Sequence, residues 1–263
     1  MKRRLGIKLC ASSENKAEEM LKLIKETGFE SFAVEYTDKD EIKRIKETSD
    51  SFGLFLECIY APKRRLREMW NRGLNYLSVS RTMKSAIDTA AELGVKTVVI
   101  NATKGKEIYP MNELGVSRFD EIVLYAEEKN VSIALENECL AGHTVYLGDR
   151  YKNLENFGLC YDAGHEHCYT NPLKWLDIFH NNVLVAVIND NMGRDGDKKP
   201  ENDTHSLPFD GNIDYSEIMS KLNRNKYEGA LILDVSKIGH EEMSDEEFFA
   251  LAYERLKRIS EIE

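Results

Sequence analysis

Hydrophobic and polar positions along the chain follow two periods. Apolar residues at three- and four-residue spacing mark amphipathic helices: Ala17, Met20, Leu21 and Ile24; Met83, Ala86, Ile87 and Ala90; Phe119, Ile122, Val123 and Ala126. A further helix opens on the capping box Ser244-Asp245-Glu246-Glu247 and sets Phe249, Tyr253, Leu256 and Ile259 on one face. Between the helical stretches run short, almost unbroken apolar segments at 5–9, 31–36, 54–60, 97–100, 132–136, 159–162, 183–188 and 230–234. Segments of that length and composition predict strands buried on both faces, as in a parallel sheet.

The junctions repeat as well. Helical patterns stop at Gly28, Gly53, Gly94, Asn130, Gly158 and the Asn225–Gly229 stretch, and an apolar strand follows at once. Glycine and asparagine tolerate the left-handed backbone that ends a helix, so each junction reads as a stop and a turn into the next strand. Eight strands in 263 residues give about 33 residues per strand–helix unit, the size of a (β/α)8 barrel. The first strand–helix turn, Cys10-Ala11-Ser12-Ser13, has no GxGxxG, and no other turn supplies a phosphate-cradling glycine loop. This disfavours an open, doubly wound sheet. With no Pro/Gly-rich linker, the predicted α/β fold is one domain over residues 1–263. It is a single (β/α)8 TIM barrel, a closed eight-stranded parallel sheet with outer helices. Residues 191–212, irregular and polar, read as a long loop after the seventh strand.

Charge narrows the partners. The chain has 36 Lys+Arg against 46 Asp+Glu, a formal net charge of −10. It lacks the basic footprint that phosphate-backbone binding needs, the local run Lys63, Arg64, Arg65 and Arg67 notwithstanding, so no nucleic-acid partner is expected. No apolar run approaches the ~18 residues of a membrane span, and Met1-Lys2-Arg3-Arg4 leads into a strand pattern instead of a signal-peptide core. Cys10, Cys58, Cys139, Cys160 and Cys168 are odd in number, scattered and without a CxxC pair. Neither a disulfide frame nor a zinc knot is expected, and the setting reads as reducing and cytoplasmic.

Barrel active sites sit at the C-terminal ends of the strands. Those ends read Glu57, Glu136, Asp162, Asp190 and Asp234. A lone acid there ordinarily caps the next helix or pairs with a base. Three converging acids, from strands five, six and eight, repel one another, and a divalent cation relieves that repulsion. His165, three residues beyond Asp162, faces the same cavity, whereas Glu166 and His167 read as a solvated loop pair. Asp203-Thr204-His205 places two side chains on one side of an extended segment, where a ligand role and a solvated loop are both open. His143, His180 and His240 have no comparable context and read as structural or surface residues.

At this point a resemblance emerges. The segments Ala134-Leu135-Glu136-Asn137, Gly158-Leu159-Cys160-Tyr161-Asp162-Ala163-Gly164-His165 and Val187-Ile188-Asn189-Asp190-Asn191 are similar to those of the xylose isomerase-like TIM-barrel superfamily. So are Asp203-Thr204-His205-Ser206-Leu207 and Gly211-Asn212-Ile213-Asp214-Tyr215, and the order of elements agrees over the whole chain. The superfamily contains sugar isomerases, ketose 3-epimerases, inosose dehydratase-like enzymes and endonuclease IV. The resemblance implies a divalent metal ion (Mn, Mg, Co or Zn) held by Glu136 on strand five, Asp162 on strand six, a strand-seven histidine and a strand-eight acid. It also implies Glu136 and Asp234 as the acid/base pair of an enediolate mechanism and His165 as a substrate contact. Asn137, Asp190 and Lys237 complete the substrate-binding candidates. Asp234 stands where the superfamily has Glu, and Val187 where it has His. His205 or Asn189 then supplies the missing ligand, or the ion is held partly through water. Endonuclease IV is disfavoured, because Tyr60-Ala61-Pro62 and Asn101-Ala102-Thr103 carry none of the histidines that its zinc cluster needs.

The expected function is therefore a metal-dependent sugar or polyol isomerase/epimerase with a small-molecule substrate, no membrane or nucleic-acid partner, and a homo-oligomeric assembly of the kind common among such barrels. The alternatives are a non-catalytic carbohydrate-binding barrel with a degraded metal site and a cyclic-polyol dehydratase.

Overall fold

The computed structural model describes residues 3–9, 14–105, 109–194 and 202–262. Its strands are β1 (Leu5–Leu9), β2 (Ser31–Glu35), β3 (Phe55–Tyr60), β4 (Thr97–Ile100), β5 (Ser132–Glu136), β6 (Phe157–Asp162), β7 (Val183–Ile188) and β8 (Leu231–Leu233). They pair in parallel and in chain order, and β1 pairs with β8 to close the barrel. The outer helices are α1 (Glu14–Thr27), α2 (Lys39–Ser51), α3 (Tyr76–Leu93), α4 (Glu113–Glu128), α5 (Ala141–Tyr151), α6 (Ala163–His165), α7 (Trp175–Ile178), α8 (Tyr215–Arg224) and α9 (Asp245–Ser260). The eight-stranded (β/α)8 barrel expected from the apolar runs is the fold observed.

Strands β1, β4, β5 and β7 have the bounds that the apolar runs predict. The junction chemistry also holds at Gly28, Gly53, Gly94 and Asn130, which all have positive φ. Gly158 does not stop a helix: it lies inside β6, where a Cβ would come within 2.3 Å of the Asn182 carbonyl oxygen. After α8 the left-handed residue is Lys226 (φ 53°), not Gly229. The capping box opens α9, with Glu247 N–H donating to Ser244 Oγ and Ser244 N–H donating to Glu247 Oε2. The Cys10–Ser13 turn and residues 195–201 of the long loop lie outside the described residues. What is described of that loop returns to the barrel through an antiparallel bridge between Asp190 and Ser206.

Strand side chains alternate between two apolar layers. Phe32, Ile59, Val98, Ile133, Leu159 and Ile188 face the helices. Ala33, Val99, Ala134, Cys160, Val187 and Ile232 fill the barrel interior. Two residues further along the inward face, the composition changes. Glu35 follows Ala33, Asn101 follows Val99, Glu136 follows Ala134, Asp162 follows Cys160, Asn189 follows Val187 and Asp234 follows Ile232. Lys8 is the corresponding residue of β1; on β3 that place is taken by buried Tyr60, and the rest of the mouth is polar.

Candidate active site

Glu136 closes β5 and is 1% exposed. Its Oε2 accepts from Lys63 Nζ at 2.6 Å and from Asn101 Nδ2 at 2.5 Å. The same two donors reach Glu138 Oε1 at 3.3 and 2.8 Å. The other oxygen of Glu136, Oε1, accepts no hydrogen bond from the described residues. Asp162 closes β6 and is fully buried. Its Oδ1 caps the short turn α6 by accepting from His165 N–H at 2.9 Å, and Asn189 Nδ2 lies 3.1 and 3.2 Å from its two oxygens. Asn137 stitches the two strand ends together, accepting from Asp162 N–H at 2.6 Å and donating to the Asp162 carbonyl at 2.9 Å.

The two site histidines share one arrangement. His165 Nδ1 lies 2.8 Å from the Asn137 carbonyl and His205 Nδ1 lies 2.9 Å from the Asp234 carbonyl. A carbonyl only accepts, so in each ring Nδ1 carries the proton and Nε2 is left to act elsewhere. Both Nε2 atoms point to Asp203 Oδ2, at 3.1 and 3.3 Å. One ligand atom each from Glu136, Asp162 and His165 lies within 4.8 Å of the others, and the same holds for His165, Asp203 and His205. The two groups share His165.

Charge explains why these groups suit a cation. Among the described residues, the ammonium groups paired with Glu136, Glu138, Asp162, Asp203 and Asp234 are those of Lys8 and Lys63. Burial works against ionisation of Glu136, but the Lys63 ammonium, His165 and the hydrogen bonds from Lys63 and Asn101 hold it at about 2. Asp162 goes the other way. Burial, with Asp203 and Glu136 nearby, raises it in spite of His165 and His205. Burial also opposes charge on His205, yet hydrogen bonding to Asp203 and the charges of Asp234, Asp203 and Asp162 raise it to about 9. His165 is raised well above its ordinary range by Asp162 and Asp203. A neutral imidazole would aim its Nε2 lone pair at a carboxylate oxygen, which is repulsive. A proton or a metal cation between them removes the conflict. Asp203 Oδ1 and Asn189 Oδ1 are buried without a hydrogen-bond partner in the structure. A carboxylate acceptor left bare beside two imidazole nitrogens is a donor set that fits a divalent ion.

Several expected residues stand differently. Asp234 is in neither ligand group: its Oδ2 takes Lys8 Nζ at 2.9 Å, and Lys8 also reaches Glu35 at 3.1 Å. Val187 pairs in register with Asp162 and is sealed in the barrel interior, so strand seven offers no imidazole there. Asn189 is the next inward residue of that strand; its Nδ2 is committed to Asp162 and its Oδ1 lies against Gly164, where a Cβ would come within 1.8 Å. Asp190 is engaged with the backbone of its own loop. Its oxygens accept from the N–H groups of Asn191, Phe209 and Ile213 and so pin the long loop. Lys237 is likewise engaged, donating to the Met243 carbonyl and to Asp245. Glu57 is not at a strand end at all: it lies within β3, bonded to Arg4 at 2.6 Å. Glu166 is buried and accepts from Trp175 N–H at the start of α7, while His167 meets Asn212. His143 packs edge-on against Trp70 and His240 pairs with Asp210. Nothing local in the sequence marks Lys8, Asn101 or Glu138 as site residues, and Lys63 stands there within a basic run. The inward parity of the strand ends is the signal that finds Lys8 and Asn101.

The profile of the xylose isomerase-like TIM barrel family matches residues 21–257. The chain belongs to this family. An uncharacterised protein of Sinorhizobium fredii is 26% identical over 194 residues; the match covers 68% of this chain and 60% of that relative. Among solved structures, a D-tagatose 3-epimerase-like protein superposes with a TM-score of 0.73 at 22% identity, covering 98% of this chain and 97% of the other. A D-allulose 3-epimerase from Methylomonas sp. in complex with D-allulose gives 0.73 at 15% identity, over 98% of both chains. At these identities the likeness is one of fold, and that fold is the one used by sugar epimerases. No helix among the described residues is long and apolar enough to cross a membrane.

Proposed function

We propose that this member of the family is a metal-dependent sugar or polyol isomerase/epimerase working at the barrel mouth. The observation that carries the reading is the pair of ligand groups joined at His165: Glu136, Asp162 and His165 on one side, Asp203 and His205 on the other. A divalent ion held there (Mn, Mg, Co or Zn) would polarise a carbonyl and its neighbouring hydroxyl and lower the cost of an enediolate. Asp162, His165 and His205 are the proposed ligands, with Glu136 contributing Oε1. Kept ionised by Lys63 and Asn101, Glu136 is suited to take the proton from the carbon next to the carbonyl. Asp234, kept near the mouth by Lys8, is the proposed partner that returns a proton on the other face of the sugar. Asn137 holds the ends of β5 and β6 at fixed separation, so its part is positioning. The substrate is a small sugar or polyol, in keeping with the D-allulose bound by the Methylomonas enzyme.

Val187 favours a second reading, a carbohydrate-binding barrel without turnover, because it removes one imidazole at the level of Asp162. One experiment separates the two. Purified protein is analysed for metal, and ketoses are incubated with it in D2O while deuterium at the carbon next to the carbonyl is followed by NMR. About one equivalent of divalent ion with exchange is expected. In a Glu136→Gln, Asp162→Asn variant the ion should be lost and exchange should fall by at least ~10³-fold, the scale of a positioned general base. Bound sugar without exchange, at any added divalent ion, overturns the isomerase reading and leaves the binding protein.

A further inference from the structure

We infer that Lys63 is a tethered cation that shares Glu136 with the divalent ion and so sets how tightly this mouth holds metal. The inference rests on the metal reading above but makes a separate claim. Lys63 follows β3 and Pro62, and its ammonium reaches the carboxylates at the end of β5. It is 2.6 Å from Glu136 Oε2 and 3.3 Å from Glu138 Oε1, with Asn101 Nδ2 bonded to the same two oxygens. The two donors form one clamp. Glu138 and Asn101 are both buried, at 4% and 2% exposure, so the clamp has little water to replace either partner.

The clamp divides Glu136 between its two oxygens. Oε2 is committed to the lysine and the amide, whereas Oε1 is free of donors and its carboxylate belongs to the group with Asp162 and His165. A carboxylate so held offers a metal one oxygen and no chelating pair. The ammonium also places a fixed positive charge one carboxylate away from the ion position, on a side chain that is only partly exposed. Both effects weaken divalent binding, while the same charge keeps Glu136 available as a base. Lys63 thus trades metal affinity for a free Glu136 oxygen, and it acts through Glu136 as a positioning residue.

The test is Mn²⁺ binding to metal-stripped protein, followed by titration calorimetry and by the electron paramagnetic resonance signal of free Mn²⁺. Lys63→Met keeps the length of the side chain and removes its charge, and Lys63→Arg keeps the charge. Circular dichroism and thermal unfolding check that each variant is folded. Lys63→Met should bind Mn²⁺ at least ~10-fold more tightly than the parent, and Lys63→Arg should stay within ~3-fold of it, because charge close by in a dry site outweighs small changes of shape. A parent without measurable Mn²⁺ binding alongside a Lys63→Met variant that binds would support the role of Lys63 while defeating the metal-dependent reading. Equal or weaker binding in folded Lys63→Met, or no binding in either protein, overturns the inference. If Lys63→Met does not fold, Lys63→Gln takes its place under the same criteria.

Discussion

Asp203 meets two imidazoles whose Nδ1 protons are already given to backbone carbonyls, so its own attraction to them depends on what sits at Nε2. In the metal-free protein that occupant is a proton. Burial, opposed by the Asp203 hydrogen bond and the neighbouring acids, leaves His205 titrating at about 9 when folded, against about 6.5 when unfolded. A folded value above the unfolded one means that the stabilisation is complete below about pH 6.5. It is then lost as pH rises through about 9. Thermal unfolding in EDTA should therefore show a midpoint that falls between pH 6.5 and 9, and Asp203→Asn should flatten that slope. A parent profile as flat as that of the variant would mean that Nε2 carries no proton in the folded state. Because a proton and a metal compete for the same Nε2, binding of Mn²⁺ below about pH 9 should release protons, measurable by calorimetry in two buffers of different ionisation heat.

Among the elements, the turn from β6 into α6 does most to shape the site, and it was readable in advance. Asp162-Ala163-Gly164-His165 places a capping acid and an imidazole three residues apart, and the structure brings both to the mouth. Gly164 has a reason to be glycine: a Cβ would come within 1.8 Å of Asn189 Oδ1 and 3.1 Å of Asn191 Nδ2. Gly164→Ala should push Asn189 off Asp162, costing about 1–3 kcal/mol of stability in urea unfolding and weakening Mn²⁺ binding in parallel. If stability alone falls, Asn189 does not orient Asp162. Other parts of the site were not legible in the chain, for a physical reason. Glu57 reads like Glu136, an acid closing an apolar run, yet it sits within β3, three residues before its end and on the parity opposite Cys58 and Tyr60. Only the register reveals that parity. Lys63 is one of four basic residues in five positions, and nothing in that run distinguishes the one that turns inward. Glu138 and Asn101 come from different strands, and only pairing of β4 with β5 makes them neighbours. The helix stops and strand runs, by contrast, are local chemistry, so the order of elements was readable from one end to the other.

At the scale of the whole barrel, the mouth is assembled from every strand, and the closure between β1 and β8 passes through it. Ile7 pairs with Leu233, and the next residues on each strand are Lys8 and Asp234. Lys8 is nearly buried and also reaches Glu35 of β2, so one ammonium spans three strands. Burial opposes its charge, but Asp234 and Glu35 more than compensate, and it stays protonated. Removing it leaves Asp234 uncompensated: Lys8→Met should cost about 3 kcal/mol in urea unfolding, and adding Asp234→Asn should restore part of that loss. Simple additivity of the two substitutions would show that the pair contributes nothing as a pair.

The position of that seam has a consequence for when the rim is complete. Lys8 and Asp234 are separated by most of the chain, and although Lys8 can meet Glu35 of β2 early, Asp234 lacks Lys8 until the last strand has docked beside the first. A nascent or partly unfolded barrel, however complete its other strands, therefore has an open rim, with Asp234 still apart from Lys8. Long-range pairing of this kind forms late in folding. The rim that carries Asp234 is therefore complete only in finished molecules, and its assembly reads out the final stitch of the fold.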